Sequence, residues 1–257
     1  MRITITEKMR ERARRRGSVL KLNRIRIGGP KGAIAAGITL LVFGLFSGLP
    51  FLIQGLFGGI LLFAMMGIPG LILLIIGSIL QKKRARDYLE FYVKETGYSR
   101  RELLQAEDEL LAPQTVAFGN SGKNGIFCYI TEHFLVSVTK EACYVRKLSD
   151  MVAVFYSEEI PGIDGQGSGV MFISERDISR EPCTNPYTYR LCGGYSNILL
   201  DRQSCVEVQG EIEKRGAVIL TNQRFSDGKT MYDLLNLNHW EEDWTAIRQA
   251  LQQKDAF

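Results

Sequence analysis

The fold of this chain is decided by one apolar stretch, residues 32–81, which reads GAIAAGITLLVFGLFSGLPFLIQGLFGGILLFAMMGIPGLILLIIGSILQ. Its 50 residues include no Asp, Glu, Lys, Arg or His. A membrane-spanning helix needs about 20 apolar residues, because it rises about 1.5 Å per residue through about 30 Å of hydrocarbon. The stretch therefore predicts a transmembrane hairpin, with spans at 33–53 and 58–80 and a short turn at 54–57.

Basic residues flank both ends of the apolar stretch, and the turn inside it has none. Cytoplasmic flanks of membrane spans carry an excess of Lys and Arg. We therefore expect a multi-pass protein of the cell membrane with two spans and both termini in the cytoplasm. A cleaved signal peptide is disfavoured, because the basic region before the apolar stretch is long and no exported domain with a cleavage site follows. A re-entrant hairpin that does not cross the membrane stays open. The flanking residues are Arg24, Arg26 and Lys31 before the stretch and Lys82, Lys83, Arg84 and Arg86 after it.

Small residues recur at a spacing of four within the predicted spans. Such spacing lets helix backbones approach closely in a membrane. We expect it to serve packing within the hairpin, with self-association of two copies as the alternative. Because the spans hold no ionisable residue, they are more typical of an anchor than of a transport pathway. The candidate packing residues are Gly44, Gly48, Gly55 and Gly59.

The first 31 residues form a basic segment, which we interpret as a cytoplasmic tail. It contains eleven Lys or Arg and two acids, whereas residues 87–257 contain 17 basic and 26 acidic residues. Anionic lipids of the inner leaflet attract such residues with about 1 kcal/mol each. Nucleic acid is the weaker alternative, because no aromatic residues interleave with the basic ones to stack on bases. The residues predicted to bind the membrane surface are Arg10, Arg12, Arg14, Arg15, Arg16, Lys21, Arg24 and Arg26.

The rest of the chain predicts a helical connector at 82–112 and a β-rich cytoplasmic domain at 113–257. In the connector, Gly97 predicts a helix end, and Ser99 with Glu102 predicts a capping box that opens a second helix. An amphipathic helix is predicted at 239–253, where Trp240, Trp244, Ile247 and Leu251 share one face. Short runs rich in β-branched and aromatic residues predict strands at 126–130, 134–138, 142–146, 151–156, 169–173, 187–191, 198–200, 205–208 and 217–221.

Two parts of this domain resemble a known family. The sequence YITEHFLVSV at 129–138, followed by Asp150 and the apolar run after it, is similar to the strand-turn-strand of bacterial pleckstrin-homology-like domains. The segment ILTNQRF at 219–225 resembles the same signature and suggests a second, degenerate copy. The whole chain also resembles uncharacterised two-span membrane proteins of Gram-positive bacteria, which implies a bacterial inner membrane. The resemblance implies a fold and a binding role, and no catalytic residue.

The usual signatures of catalytic and metal sites are missing from the sequence. The five Cys contain no C-x-x-C pair, the two His are 106 residues apart, and the glycine-rich loop at 162–169 lacks the Lys-Thr or Lys-Ser of a phosphate loop. We therefore predict no catalytic residue, no metal ligand and no cofactor. The expected function is a membrane-tethered binding or scaffolding module of the α+β class. Its partners are anionic lipids and either a protein partner or a second copy of the chain. The alternative is a membrane-anchored enzyme whose cytoplasmic active site is not recognised.

Overall fold

The computed structural model describes residues 2–5, 7–26, 30–53, 57–119, 126–138, 143–158, 168–175, 196–198, 200–235 and 240–255. They form a mixed α+β structure with antiparallel sheets. The helices are α1 (Glu7–Arg16), α2 (Val19–Arg26), α3 (Lys31–Ile53), α4 (Phe57–Arg86), α5 (Tyr88–Thr96), α6 (Arg100–Leu110), α7 (Arg202–Glu213) and α8 (Trp240–Asp255). The strands are β1 (Arg2–Ile3), β2 (Val116–Gly119), β3 (Ile126–Ile130), β4 (Phe134–Val138), β5 (Cys143–Lys147), β6 (Met151–Ser157), β7 (Gly169–Ser174), β8 (Ser196–Ile198), β9 (Arg224–Ser226) and β10 (Met231–Asp233).

The apolar stretch forms two long helices, α3 and α4, that pack against each other. Segments of both are long and apolar enough to cross a membrane, Lys31–Pro50 and Gly59–Arg86. Only 17% and 18% of their apolar windows are buried, so most of this apolar surface faces outward, unlike that of a helix in a soluble core. The helix α3 continues past Pro50, where we expected it to end or kink, and α4 carries its basic residues on the same helix as the apolar ones.

Helices α5 and α6 follow the pattern that the connector predicts. Gly97 ends α5 in the left-handed region at φ 67°, and its amide donates to the carbonyl of Val93. The Ser99 hydroxyl accepts from the Glu102 amide, and the Glu102 carboxylate accepts from the Ser99 amide. The predicted capping box is confirmed. Because α5 begins two residues after α4 ends, the domain that follows starts directly at the end of the hairpin.

Five strands form an antiparallel sheet in the order β1-β2-β3-β4-β5. Each of β3, β4 and β5 overlaps a strand predicted from the sequence, and β1 adds the N-terminus of the chain to the edge of β2. Helices α2, α5 and α6 cover one face of this sheet with a buried cluster that includes Leu20, Tyr92, Tyr98, Leu103 and Phe134.

A second antiparallel sheet has the order β6-β7-β8, and α7 packs into the core between the two sheets. We predicted a strand at 205–208 and helices only at 85–112 and 239–253, and both predictions are wrong. The Asp201 side chain caps α7 by accepting from the Ser204 amide, and Cys205, Val208 and Ile212 are buried at helical spacing. The expected strand at 217–221 is reduced to a single parallel bridge between Leu220 and Ala153 of β6.

The outer face of the second sheet is covered by the C-terminal part of the chain. Ile247 of α8 is buried there with Phe155, Met171 and Leu234, and Leu251 packs against the same cluster. The helix predicted at 239–253 is therefore confirmed. The strand predicted at 187–191 lies outside the described residues.

The segment that resembles the first strand-turn-strand has the same local backbone arrangement. In the first copy, the His133 carbonyl before hairpin β4–β5 accepts from the Leu148 amide after it. In the second, the Gln223 carbonyl before hairpin β9–β10 accepts from the Leu234 amide after it. The two hairpins therefore close in the same way, and the second is shorter.

Candidate membrane interface

The surface of the α3–α4 hairpin is apolar over most of its length. Its large side chains are exposed on both helices, with Phe46 on α3 79% exposed and Met65 on α4 69% exposed. In water, such a surface costs about 25 cal/mol for each Å² of apolar area. In hydrocarbon it costs nothing, because lipid tails are as apolar as these side chains.

Glycines line the contact between the two helices. A Cβ on Gly44 would lie 3.1 Å from the Gly67 nitrogen, and a Cβ on Gly48 would lie 3.0 Å from the Gly59 carbonyl oxygen. Three of the glycines named from the sequence thus lie at the contact, and Gly55 lies outside the described residues. The tightest backbone approach was not named, since a Cβ on Gly37 would be 2.8 Å from the Gly70 carbonyl oxygen. The spacing within one helix gives no information about its partner on the other.

Helix α2 is part of the folded domain and does not extend away from it as a tail. Its Leu20 is fully buried, and the Leu20 carbonyl accepts from the Tyr92 hydroxyl of α5 at 3.4 Å. The Asn23 amide contacts the Cys143 sulfur of β5 at 3.7 Å. The Arg24 guanidinium carbon lies 3.7 Å from the centre of the Phe91 ring of α5. Of the predicted surface residues on α2, Lys21 and Arg24 are half-buried, and Arg26 is the last residue of the helix.

The arginines of α1 differ in their surroundings. Arg10 is only 14% exposed and donates to the Pro113 carbonyl at 3.4 Å, which ties α1 to the segment before β2. Glu7, on the same helix, pairs with Arg10 and with Arg14, and Glu11 pairs with Arg15 at 3.8 Å. Arg15 is 83% exposed, so it is available to an anionic surface, whereas Arg10 has a structural contact. Arg12 and Arg16 also lie on α1.

The polar cluster at the turn between β3 and β4 has a structural explanation. The Glu109 carboxylate of α6 accepts from the Thr131 hydroxyl at 2.6 Å and from the His133 amide at 3.0 Å, and it contacts His133 Nδ1 at 2.8 Å. Burial acts to raise the pKa of Glu109, but these hydrogen bonds together hold it below its usual value. The cluster fixes the end of α6 to the turn.

The described residues hold no group of three or more His, Cys, Asp or Glu that could bind a metal ion. The three described cysteines, Cys128, Cys143 and Cys205, are free thiols, and burial raises the pKa of each. A raised pKa keeps a thiol protonated and therefore poorly nucleophilic.

No protein-family model matches the chain, and neither a curated protein nor a solved structure shows significant similarity to it. Its function therefore has to be argued from its own residues.

Proposed function

We propose that this chain is an integral membrane protein in which the α3–α4 hairpin holds the sheet domain, residues 88–255, at the inner surface of a bacterial cell membrane as a binding or scaffolding module. One observation carries the proposal. The hairpin is apolar on its outer surface, and both of its basic ends lead directly into the packed helices α2 and α5.

The charges at the ends of the hairpin support a cytoplasmic location for both termini. Lys31 opens α3, and the last turn of α4 contains Lys83, Arg84 and Arg86. The segment between the helices, 54–56, contains no charged residue. The excess of Lys and Arg at one end of both helices is the pattern of cytoplasmic flanks.

Two features of the sheet domain support a pleckstrin-homology-like fold. The turn at Thr131 leads from β3 into β4, and β6 begins directly after Asp150, as in the strand-turn-strand on which the resemblance rests. The short hairpin β9–β10 repeats part of this arrangement. We therefore assign the domain a binding role.

A binding module gains from being tethered to a membrane. Tethering makes a second contact effectively intramolecular, so a weak interaction with a lipid or a protein becomes effective without additional contact area. The side chains that would be candidates for chemistry have structural contacts, as with Glu109 and His133, and this favours binding over catalysis. Besides lipid, we expect a protein partner or a second copy of the chain.

Cysteine accessibility tests the topology. A Cys at Gln54, in a chain whose own cysteines are replaced by Ser, should react with an impermeant maleimide added outside intact cells. A matched Cys at Ser226, in the exposed hairpin β9–β10, should react only after the cells are opened. Alkaline carbonate should leave the protein in the membrane. Protection of both sites would indicate a re-entrant hairpin, and release by carbonate would exclude membrane insertion.

A further inference from the structure

Two arginines from distant parts of the chain meet at the end of the hairpin. Arg24 lies on α2 and Arg84 lies on the last turns of α4, and the two helices pack against each other. Arg84 is close enough for its positive charge to act on Arg24. Burial, and then the charge of Arg84, lower the pKa of Arg24. Two like charges held together in this way are stabilised by an anion between them.

The depth of this pair matches the headgroup layer of a bilayer. Leu80 is the last large apolar residue of α4, and Arg84 follows it by four residues. At about 1.5 Å per residue, Arg84 lies about 6 Å beyond the end of the apolar surface. The polar headgroup layer extends about 5–7 Å beyond the hydrocarbon on each side. Arg84, and Arg24 beside it, therefore lie at the level of the lipid phosphates.

The position of Arg24 is fixed by packing before any ligand binds. Leu20, one turn earlier on α2, is fully buried and accepts a hydrogen bond from Tyr92. The Arg24 guanidinium stacks on Phe91, which holds its plane and leaves its N–H edge free to point away from the ring. Arg presents planar, paired donors that fit phosphate oxygens, and less entropy is lost when the side chain is already held.

We propose that Arg24 and Arg84 form a binding site for the phosphate group of an anionic phospholipid in the inner leaflet. The proposal rests on the proposed function, because it requires the hairpin to be in the membrane. It goes further in that it assigns a defined lipid site to two of the many basic residues. Glu95 of α5 is the acidic group whose charge acts on Arg24 in the opposite sense to that of Arg84, so it competes with the phosphate.

Native mass spectrometry of the full chain in neutral detergent tests the site, with phosphatidylglycerol and phosphatidylcholine as probes. Both lipids carry a phosphate, but only phosphatidylglycerol has a net negative charge. We expect phosphatidylglycerol to bind at least tenfold more tightly. Arg24→Gln and Arg84→Gln should each weaken its binding by about tenfold, the usual effect of losing a charge-assisted hydrogen bond. The double variant should lose little more than either single variant, because the two residues act on one ligand.

Three further variants separate a defined site from general surface charge. Arg15→Gln removes the same charge from an exposed residue of α1 and should change the affinity by less than twofold. Arg24→Lys keeps the charge but loses the planar donors, so we expect an intermediate loss. Glu95→Gln should strengthen phosphatidylglycerol binding, because it removes the competing negative charge.

The proposal is overturned if Arg24→Gln and Arg84→Gln bind phosphatidylglycerol like the unchanged chain, or if Arg15→Gln loses as much as they do. Displacement of the lipid by millimolar inorganic phosphate would also overturn it, since the site would then recognise free phosphate. Any of these results with Gln54 still accessible from outside leaves the membrane topology intact. Release of the protein by carbonate would instead contradict the proposed function itself.

Discussion

Replacing Leu20 by Ala tests whether the basic N-terminal segment is part of the folded core. Leu20 is fully buried among Tyr92, Tyr98 and Leu103. The substitution removes three carbon atoms at about 0.8 kcal/mol each and leaves a cavity, so we expect a loss of about 3 kcal/mol in the free energy of unfolding. For a domain of this size, the midpoint of thermal unfolding should fall by about 6–12 °C. Near-ultraviolet circular dichroism of the full chain in detergent measures this midpoint.

The matched control is Leu104→Ala. Leu104 lies on α6 and is 42% exposed, so the same substitution there should cost less than about 1 kcal/mol. The reasoning is refuted if Leu20→Ala unfolds at the same temperature as the unchanged chain, because the segment would then be a detached tail. A positive result has a practical consequence. Fragments that begin after α4 would lack part of their own core, so lipid-binding assays should use the full chain.

Three other changes give distinct results. Gly70→Ala places a Cβ 2.9 Å from backbone atoms of α3 and should destabilise the hairpin by about 1–3 kcal/mol in a thermal melt in detergent. The hydrogen bond from Lys147 and that from the Ser99 amide lower the pKa of Glu102 to about 2, so Glu102→Gln should cost about 1 kcal/mol at pH 7. A carboxylate with a lowered pKa stabilises the fold above about pH 5, so this difference should vanish as the pH falls towards about 2. Burial raises the pKa of Cys205 to about 12, so a maleimide should label this thiol only when the domain unfolds.

Each of these changes has a control within the chain. Gly32→Ala, near the start of α3 with no atom within 4 Å of the added Cβ, should be neutral or stabilising. Glu90→Gln removes an exposed carboxylate of α5 and should leave the pH dependence of stability unchanged. The labelling of Cys205 is measured in a chain in which the other four cysteines are replaced by Ser. Equal effects of a change and its control would contradict the corresponding prediction.

Features that depend on local sequence could be predicted, and features that depend on contacts between distant segments could not. The two apolar helices follow from a stretch without charge, and the start of α6 follows from Ser99 and Glu102. Helix α7 was missed because Cys205 and Val208 resemble a short strand when read over four residues. The helical spacing appears only when Ile212 is included, and Asp201 could have indicated the cap.

The N-terminal segment shows a different limit of sequence reasoning. Its arginines dominate the composition, so the segment was interpreted as a tail, although Ser18 and Leu20 are a cap and a core residue. The Ser18 hydroxyl accepts from the Lys21 amide at the start of α2. Only the structure shows that α2 contacts α4, α5 and α6, and that Arg24 and Arg84 lie close together. The lipid site that we propose depends on that contact.

The distribution of charge gives the sheet domain a preferred orientation at the membrane. Residues 87–257 have 26 acidic and 17 basic residues, so an anionic leaflet repels them as a whole. The packed helices α1 and α2 carry most of the opposite charge, and their own two acids, Glu7 and Glu11, already pair with arginines of α1. Charges on exposed residues act over about 10 Å at 0.1 M salt, so only the side of the domain nearest the lipid is affected. Since α2 continues towards α3 and contacts the end of α4, the basic side is also the side that the hairpin holds closest to the bilayer. The fold thus places attraction at the membrane and the acidic surface away from it, and this leaves the acidic surface facing the cytoplasm, where a protein partner with a basic surface would bind.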